Sequence, residues 1–266
     1  MSTSQSPLLN HPLSSASVFK PADLMAAVRR DRRIKVQPVP ALCILDFDGD
    51  LADGLAREGA ATPSDSWACF HSEMLTLNVS GIECGVIPRT IGGPYAVLIA
   101  EQLHAAGARL IVGLTSAGRL PPTLPLPCIV VADEAVRDEG TSLHYLEAST
   151  SVPTPTPSLV PHLIRELETV GDVRQGLVWT TDAPYRETEE QLLRWTSGGA
   201  LAVEMQAASL FSFAYATGAN VGVVALVSNS PAHSQDEFDT GGHDYRLRVL
   251  TAAAKAARAF LDDSDR

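Results

Sequence analysis

The sequence predicts a single α/β domain in which a mixed central β-sheet is flanked by helices. Short apolar segments of strand length alternate with longer segments whose apolar residues recur at helical spacing, and this alternation is typical of a sheet covered by helices. Residues 246–261 are the longest segment with that spacing. At 266 residues the chain is long enough for one large core, although length alone would also allow two smaller domains.

The apolar segments give an order of elements. Strands are predicted at residues 41–46, 128–132 and 221–227 and around Leu110 and Leu177, with a β-hairpin within residues 68–87. Helices are predicted at residues 51–58, 96–106, 158–170, 199–217 and 246–261. Two proline-rich connections, 120–127 and 152–161, are expected as extended surface loops. Residues 1–20 are predicted to be a disordered tail, and residues 21–266 the domain.

Composition and charge exclude several classes of function. The net charge of −11 argues against a nucleic-acid polymer or an anionic membrane as partner, because both bind basic surfaces. No apolar run approaches the ~20 residues of a membrane span, and residues 1–17 lack the basic cluster of a secretory signal. The four cysteines have no metal-binding spacing, so we expect free buried thiols in a cytoplasmic protein. A small anion can still bind locally.

The segment 199–208 places two polar side chains, Glu204 and Gln206, in an almost wholly apolar helix start. Buried polar groups need partners, so these side chains face either core partners or a ligand. A structural role, in which they only fix a core helix, is about as probable if the segment is considered alone.

Two other segments run from an apolar strand into small or polar residues. One ends in Thr181 and Asp182, and the other contains Gly113 and ends at Ser116. Carboxyl ends of strands are where open α/β sheets bind ligands, and small residues there let an anion or a sugar approach backbone N–H groups. Asp182 can equally be a carboxylate that caps the following loop.

Two further segments have the same character. Gly92-Gly93-Pro94 opens the predicted helix 96–106, with proline at a position where its missing N–H costs nothing. Residues 136–145 read Val-Arg-Asp-Glu-Gly-Thr-Ser-Leu-His-Tyr.

Together these segments, in this order between residues 42 and 229, resemble the nucleoside phosphorylase superfamily and most closely its uridine phosphorylase-like branch. The family has a Glu-Met-Glu segment, a Gly-Gly-Pro helix start and an Arg-x-Asp/Glu-Gly-x-Ser-x-His-aromatic loop. The resemblance implies a three-layer α/β/α fold and cleavage of the N-glycosidic bond of a nucleoside by phosphorolysis. It also implies inorganic phosphate as co-substrate, no cofactor, and a homo-oligomer, dimer or hexamer, with sites at subunit interfaces.

The resemblance also assigns roles to residues. The sugar-binding residues would be Glu204, Met205 and Gln206, and the catalytic residues Asp182 and Asn229. The phosphate site would comprise Gly49, Ser116, Arg137 and His71, and His71 lies roughly where a neighbouring subunit of the family contributes to the site. The base would contact Thr181, Tyr185 and Arg186.

The sequence departs from the family at four of these contact positions. Gln206 replaces a glutamate, Gly113 and Asp53 stand where phosphate-binding arginines are expected, and Asn229 replaces an aspartate. Two anion-binding guanidinium groups are therefore missing, although Arg89, Arg119 and Arg137 are available to replace them. An amide such as Asn229 hydrogen-bonds a leaving base but cannot protonate it, which favours a pyrimidine.

These departures leave alternatives to phosphorolysis. Water can be the nucleophile, as in the nucleosidases of the family, and a non-catalytic nucleoside-binding relative would keep the fold. A Rossmann nucleotide-binding protein is poorly supported, because no GxGxxG follows the first strand. We expect no metal, since His144, His233 and His243 lack the spacing of metal ligands.

Overall fold

The computed structural model describes residues 6–229 and 242–266. Its α-helices are α1 (Pro21–Arg32), α2 (Asp50–Arg57), α3 (Gly93–Ala105), α4 (Val160–Leu167), α5 (Glu189–Ser197), α6 (Ala207–Thr217) and α7 (His243–Ser264). Its strands are β1 (Leu42–Asp46), β2 (Thr62–Pro63), β3 (Leu75–Val79), β4 (Ile82–Pro88), β5 (Leu110–Arg119), β6 (Cys128–Asp138), β7 (Ser151–Pro153), β8 (Val173–Thr181), β9 (Ala202–Glu204) and β10 (Val221–Asn229). Short 3-10 helices lie at Pro7–Leu9, Thr141–His144, Pro157–Leu159 and Pro184–Arg186.

The strands form one mixed sheet, part of which closes on itself. Strand β1 lies between β4 and β5 and runs parallel to both, and β3 and β2 continue the sheet beyond β4. On the other side, β5 pairs with both β10 and β9, and β10, β6, β8 and β9 pair in turn. This closed ring leaves none of its five strands with a fully unpaired edge.

Two layers of helices cover the sheet, as the alternation of side chains on β1 shows. Cys43 and Leu45 pack into a core with α1, α3 and α6, whereas Leu42 and Ile44 pack into a second core with α2, α4 and α7. Successive strand residues point to opposite faces, so a strand that is apolar throughout must be covered on both. The predicted single α/β domain with helices on both faces of a mixed sheet is therefore confirmed.

Several predicted boundaries were wrong. Helix α6 begins at Ala207, so Glu204 ends strand β9 and Gln206 is the N-cap residue rather than part of a helical turn. The apolar run at 199–208 fitted a buried helix, but its first part is a strand that joins β5 to β8. The hairpin occupies only β3 and β4, and residues 68–74 precede it outside any strand.

Other elements were missed. The predictions left out α1 and α5, although Thr188 and Gln191 form a capping box that the sequence Thr-Glu-Glu-Gln announces. The connection 152–161 contains part of β7, where Val152 is buried and pairs with Ala135, so it is not wholly a surface loop.

Residues 6–20 have contacts with the body of the protein. The ring centroid of His11 lies 4.0 Å from that of His144, and Leu8 lines the same cavity as Gly140 and Asp182. The disordered tail predicted for residues 1–20 stays a prediction. All four cysteines are buried and unpaired, and no helix in the described ranges is long and apolar enough to span a membrane.

Candidate active site

The candidate site lies where β1 and β4 end, beside the part of β5 that continues beyond them to Arg119. Asp46, the last residue of β1, pairs in register with Pro88 of β4 and Leu114 of β5. Because these strands are parallel, the residues that follow each of them emerge at the same edge of the sheet. The nucleophile side of the site, as we call it, is formed there by Asp48, Gly49, Asp53, Arg89, Ser116 and Arg246.

A second group lies at the junction of β8, β9 and α6, and we call it the sugar side after the role that the resemblance predicts for it: Thr180, Glu204, Met205 and Gln206. Glu204 is buried and accepts hydrogen bonds from the Thr180 hydroxyl at 2.5 Å and from the backbone N–H groups of Gln206 and Ala207 at 2.7 and 2.9 Å. The Thr180 hydroxyl in turn accepts from the N–H of Ala208 at 3.0 Å. Glu204 therefore satisfies the free N–H groups at the start of α6 and fixes the position of Gln206.

Burial raises the pKa of Glu204 to about 7, against the opposing effect of the hydrogen bonds from Thr180 and the two backbone N–H groups. Desolvation disfavours the charged carboxylate, and the hydrogen bonds recover only part of that cost. The carboxylate of Glu204 thus forms its hydrogen bonds with other groups of the protein.

Gln206 differs from Glu204 in having unused polar atoms. Its side chain is fully buried, yet neither its amide nitrogen nor its amide oxygen has a hydrogen-bond partner within the described ranges. A buried amide without partners costs free energy, and such groups are often completed by a ligand or by water. Gln206 is therefore the side chain of this region that is prepared for a further hydrogen bond.

The amide of Gln206 points towards Gly113 on β5. A Cβ atom added at Gly113 would lie 3.5 Å from Nε2 of Gln206. Two of the four departures from the family pattern are therefore neighbours in space. A neutral amide facing a glycine needs no counter-charge.

Ser116 lies on the nucleophile side, and its hydroxyl donates to Oδ1 of Asp48 at 2.8 Å. Arg246 of α7 holds the same carboxylate, with a guanidinium nitrogen 2.7 Å from Oδ2, and is only 1% exposed. Arg246 also lies 3.9 Å from Asp46 and 3.7 Å from Asp50. One buried cation thus stabilises several carboxylates beside the hydroxyl predicted to contact phosphate.

Asp46 shows the free-energy cost of burying a carboxylate among these acidic residues. Burial raises its pKa to about 6, although the N–H of Ala52 and the guanidinium of Arg246 oppose that shift. Its Oδ2 accepts from Ala52 at 3.0 Å, whereas Oδ1 has no hydrogen bond among the described atoms.

Gly49 is the N-cap of α2 and has a positive φ of 90°, which favours glycine. The side chain of Arg89, which follows β4, lies directly over it and forms an ion pair with Asp53 at 2.5 Å. Gly49 and Ser116 are therefore brought to the same edge of the sheet, on either side of Asp48.

Arg137 lies elsewhere, and its guanidinium is fully engaged. It donates to the Ser142 and Ser149 hydroxyls, both at 2.8 Å, and to the carbonyl oxygens of Glu147 and Leu146 at 2.5 and 3.1 Å. Nearby, Glu139 accepts from the N–H of Ser142 and the hydroxyl of Ser209. These bonds hold the loop after β6 against α6, and the phosphate-binding role of Arg137 stays a prediction.

The base-binding candidates are gathered at the end of β8. Thr181, Asp182 and Arg186 line a cavity of about 370 Å³ together with Gly140 and Gln191. Oδ2 of Asp182 accepts from the N–H of Gly140 at 2.9 Å, so this carboxylate contacts the loop after β6 and not the loop that follows it, which it was expected to cap. Tyr185 is fully exposed and is not among the residues that line this cavity.

The remaining candidates are dispersed. His71 lies on an exposed loop, and its carbonyl oxygen accepts a hydrogen bond from the Tyr95 hydroxyl. Met205 is half-buried beside Gln206. Asn229 ends β10, with its side chain outside the described part of the chain, as is all of His233. Within residues 6–229 and 242–266, no three His, Cys, Asp or Glu side chains are grouped so as to hold a metal.

Sequence reasoning missed Thr180, Glu139 and Arg246. Arg246 had a readable signal, because it falls on the same helical face as Val249, Leu250 and Ala253, all of which are buried. A charged residue on an apolar face predicts a buried ion pair. Thr180 had none, because its partners Glu204 and Ala208 are distant in sequence. Glu139 lies three residues before one partner, Ser142, but its contact with Ser209 joins segments 70 residues apart.

Comparisons with known proteins show the family to which the chain belongs. A family model described as the Phosphorylase superfamily matches residues 41–264. A guanosine phosphorylase of Halorubrum lacusprofundi is 26% identical over 215 residues, which cover 72% of this chain and 86% of that protein. Uridine phosphorylases of Treponema pallidum and Thermococcus kodakarensis are each 26% identical, over 68% and 74% of this chain and 75% and 76% of their own lengths.

Proposed function

We propose that this chain, which belongs to the phosphorylase superfamily, cleaves the N-glycosidic bond of a nucleoside with inorganic phosphate, giving a free base and a sugar 1-phosphate. The observation that carries the proposal is the buried amide of Gln206, fixed at the start of α6 with no hydrogen-bond partner for either polar atom among the described residues. A nucleoside sugar offers hydroxyls that complete such an amide. Relatives named as nucleoside phosphorylases support the same reaction.

The reaction asks three things of the site. As the bond between C1′ and the base nitrogen breaks, its electron pair leaves with the base, positive charge builds on the sugar, and a phosphate oxygen bonds to C1′. A catalyst must therefore hold the sugar, place the nucleophile and stabilise the leaving base.

In our proposal each region of the site has one of these tasks. Gln206 binds the sugar hydroxyls and Glu204 keeps it in position, while Ser116 and Gly49 receive the phosphate. Thr181, Asp182 and Arg186 face the base, with Asp182 as the candidate proton donor or hydrogen-bond partner. No cofactor takes part.

Hydrolysis is the second candidate, and one contact favours it. The hydroxyl of Ser116 donates to the carboxylate of Asp48, and a carboxylate at this place repels phosphate but accepts a proton from water. Water would then replace phosphate as the nucleophile, and the product would be the free sugar.

A panel of nucleosides incubated with and without phosphate distinguishes these functions. The panel includes guanosine and uridine, because relatives are named for both. Base release that requires phosphate and yields a sugar 1-phosphate supports phosphorolysis. Release without phosphate supports hydrolysis, and binding without turnover of any nucleoside would overturn both in favour of a non-catalytic relative.

Assembly and location are part of the proposal. Phe70, Ile91 and Leu98 are 40%, 52% and 40% exposed, and these exposed apolar groups support a homo-oligomer in which His71 approaches a neighbouring site. Sedimentation equilibrium that gives only the monomer mass would contradict it. Four buried, unpaired cysteines support a cytoplasmic location.

A further inference from the structure

We propose that Arg89 is the residue that binds the phosphate co-substrate, in place of the arginine that Asp53 replaces. The inference rests on the proposed phosphorolysis, because it names the anion-binding side chain of that same site. A guanidinium would thus still lie at this edge of the sheet, but it would come from the residue after β4 instead of from the first turn of α2.

The first observation is the close approach of Arg89 to Gly49. A Cβ atom at position 49 would lie 2.8 Å from Cγ of Arg89 and 3.1 Å from its Cζ. Gly49 is the N-cap of α2, and the dipole at the start of a helix favours an anion. The N–H of Ala52 in this first turn already donates to the carboxylate of Asp46. The guanidinium therefore lies over the backbone that is predicted to contact phosphate, where both can bind the same oxygen atoms.

The second observation is the backbone of Arg89, which has a positive φ of 57°. Few residues other than glycine adopt this conformation, and it persists where surrounding structure imposes it, often at functional sites. Here the N–H of Thr90 is 3.4 Å from the carbonyl oxygen of Asp46, which ties the segment to the end of β1. The fully buried hydroxyl of Thr90 has no hydrogen-bond partner among the described residues.

The third observation is the ion pair between Arg89 and Asp53. The two side chains are 56% and 48% exposed, and exposed pairs of this kind contribute little to stability. Arg89 can therefore exchange Asp53 for a dianion that accepts two hydrogen bonds from the guanidinium. In the free protein Asp53 holds Arg89 over the site.

The other arginines are committed elsewhere. Arg137 is bound to its own loop, and Arg246 is buried against Asp48. Arg119 is an odd number of residues from Ser116 on β5, which places it on the opposite face of the strand, where it donates to the carbonyl oxygen of Leu124. Arg89 is thus the one of the three sequence candidates whose guanidinium faces the edge with Gly49.

The nearby carboxylates set the expected strength of binding. Asp48, Asp50 and Asp53 all lie at this edge, where Arg246 pairs with Asp48 and lies 3.7 Å from Asp50, and Arg89 pairs with Asp53. We therefore expect phosphate to bind in the millimolar rather than the micromolar range, and removal of Arg89 to abolish most of that binding.

The test compares Arg89→Ala and Arg89→Gly with Arg57→Ala, an exposed arginine at the other end of α2. Glycine is included because it relieves the positive φ, so this variant folds at least as stably as the wild type while lacking the guanidinium. Calorimetric titration with inorganic phosphate alone and steady-state kinetics are measured for each. We expect both Arg89 variants to raise the phosphate Kd and the phosphate KM at least tenfold, with the nucleoside KM changed less than twofold and Arg57→Ala unchanged.

Asp53→Arg provides the reverse test, because it restores the arginine of the family pattern. It should lower the phosphate KM and, combined with Arg89→Gly, recover the affinity that Arg89→Gly loses. Phosphate-dependent turnover with an unchanged phosphate Kd and KM in Arg89→Gly would overturn this inference and leave the proposed function intact. A wild type that releases base without phosphate and shows no phosphate binding overturns both.

Discussion

The two sides of the candidate site have departed from the family pattern in different ways. On the sugar side, the two residues that differ from the expected pattern, Gly113 and Gln206, are both uncharged and lie next to each other. On the nucleophile side charge has been rearranged, because Asp53 stands where an arginine is expected and pairs with Arg89. The uncharged pair leaves no unpaired charge around the buried Gln206, whereas the ion pair keeps the guanidinium of Arg89 at a half-exposed edge of the sheet.

Burial explains the difference. Gln206 is fully buried, and an unpaired charge there would cost several kcal/mol (about 3–5). Asp53 and Arg89 are about half exposed, so charges can be exchanged between positions at little cost. We expect substitutions on the sugar side to act through desolvation, and those on the nucleophile side to act through charge.

The largest expected effect comes from Arg246, the exception to this division, since it is a buried charge on the nucleophile side. Arg246→Ala leaves Asp46 and Asp48 without their buried counter-ion, and breaking such a pair costs about 3–5 kcal/mol. Urea unfolding should show this loss. Arg248→Ala, an exposed neighbour on α7, should change the free energy of unfolding by less than about 0.5 kcal/mol.

An Arg246→Ala variant as stable as the wild type would mean that the carboxylates are neutral or hydrated. The nucleophile side would then be an open acidic edge, and its contrast with the sugar side would disappear.

The sequence predicted the architecture well because the fold depends on repeated local patterns. The alternation of strand-length and helix-length apolar segments indicated a sheet covered by helices, and Leu42 and Cys43 of β1 indeed pack into opposite cores. The closure of β5, β10, β6, β8 and β9 into a ring could not be predicted. Strand pairing depends on contacts between distant segments, which periodicity does not encode.

The site was predicted less completely, and Glu204 illustrates the reason. Its residue type and its neighbours indicated a buried polar group, but the segment was interpreted as helix although it is the end of β9. A three-residue strand is too short to show a period. Likewise, Arg89 could be named as an available cation, but only the fold places it over Gly49.

The second-largest expected effect is on the pH dependence of stability, and it comes from Glu204 on the sugar side. Its pKa is raised by burial to about 7 from 4.5, so between about pH 4.5 and 7 the folded state holds a proton that the unfolded state has released. The free energy of unfolding therefore falls as pH rises through this window, by at most about 1.4 kcal/mol per pKa unit. Glu204→Gln should flatten the fall, measured by urea unfolding at several pH values.

Asp46 and Glu187 share this window, because burial raises the pKa of Asp46 to about 6 and that of Glu187 to about 7, so part of the slope will remain in Glu204→Gln. Glu190→Gln, at an exposed position on α5, is the matched control and should leave the profile unchanged. If Glu204→Gln has the slope of the wild type, the carboxylate is ionised throughout. The hydrogen bonds from Thr180 and the backbone would then outweigh desolvation.

The smallest effect, and the most specific for the sugar side, is expected from Gln206→Met. Methionine has a similar shape and no strong hydrogen-bonding group, so replacing an amide that lacks partners should leave the free protein as stable as before or more stable. The same substitution removes the hydrogen bonds to the sugar, which weakens nucleoside binding by about 1–3 kcal/mol, or roughly 5- to 150-fold. Thermal unfolding without ligand and calorimetric titration with the best nucleoside of the panel measure the two effects separately.

Gln175→Met, at an exposed amide on β8, should change neither affinity nor the shape of the site. A Gln206→Met variant that loses stability without losing affinity would make the amide a structural group with partners of its own, and the sugar side would then contain no side chain prepared for a ligand.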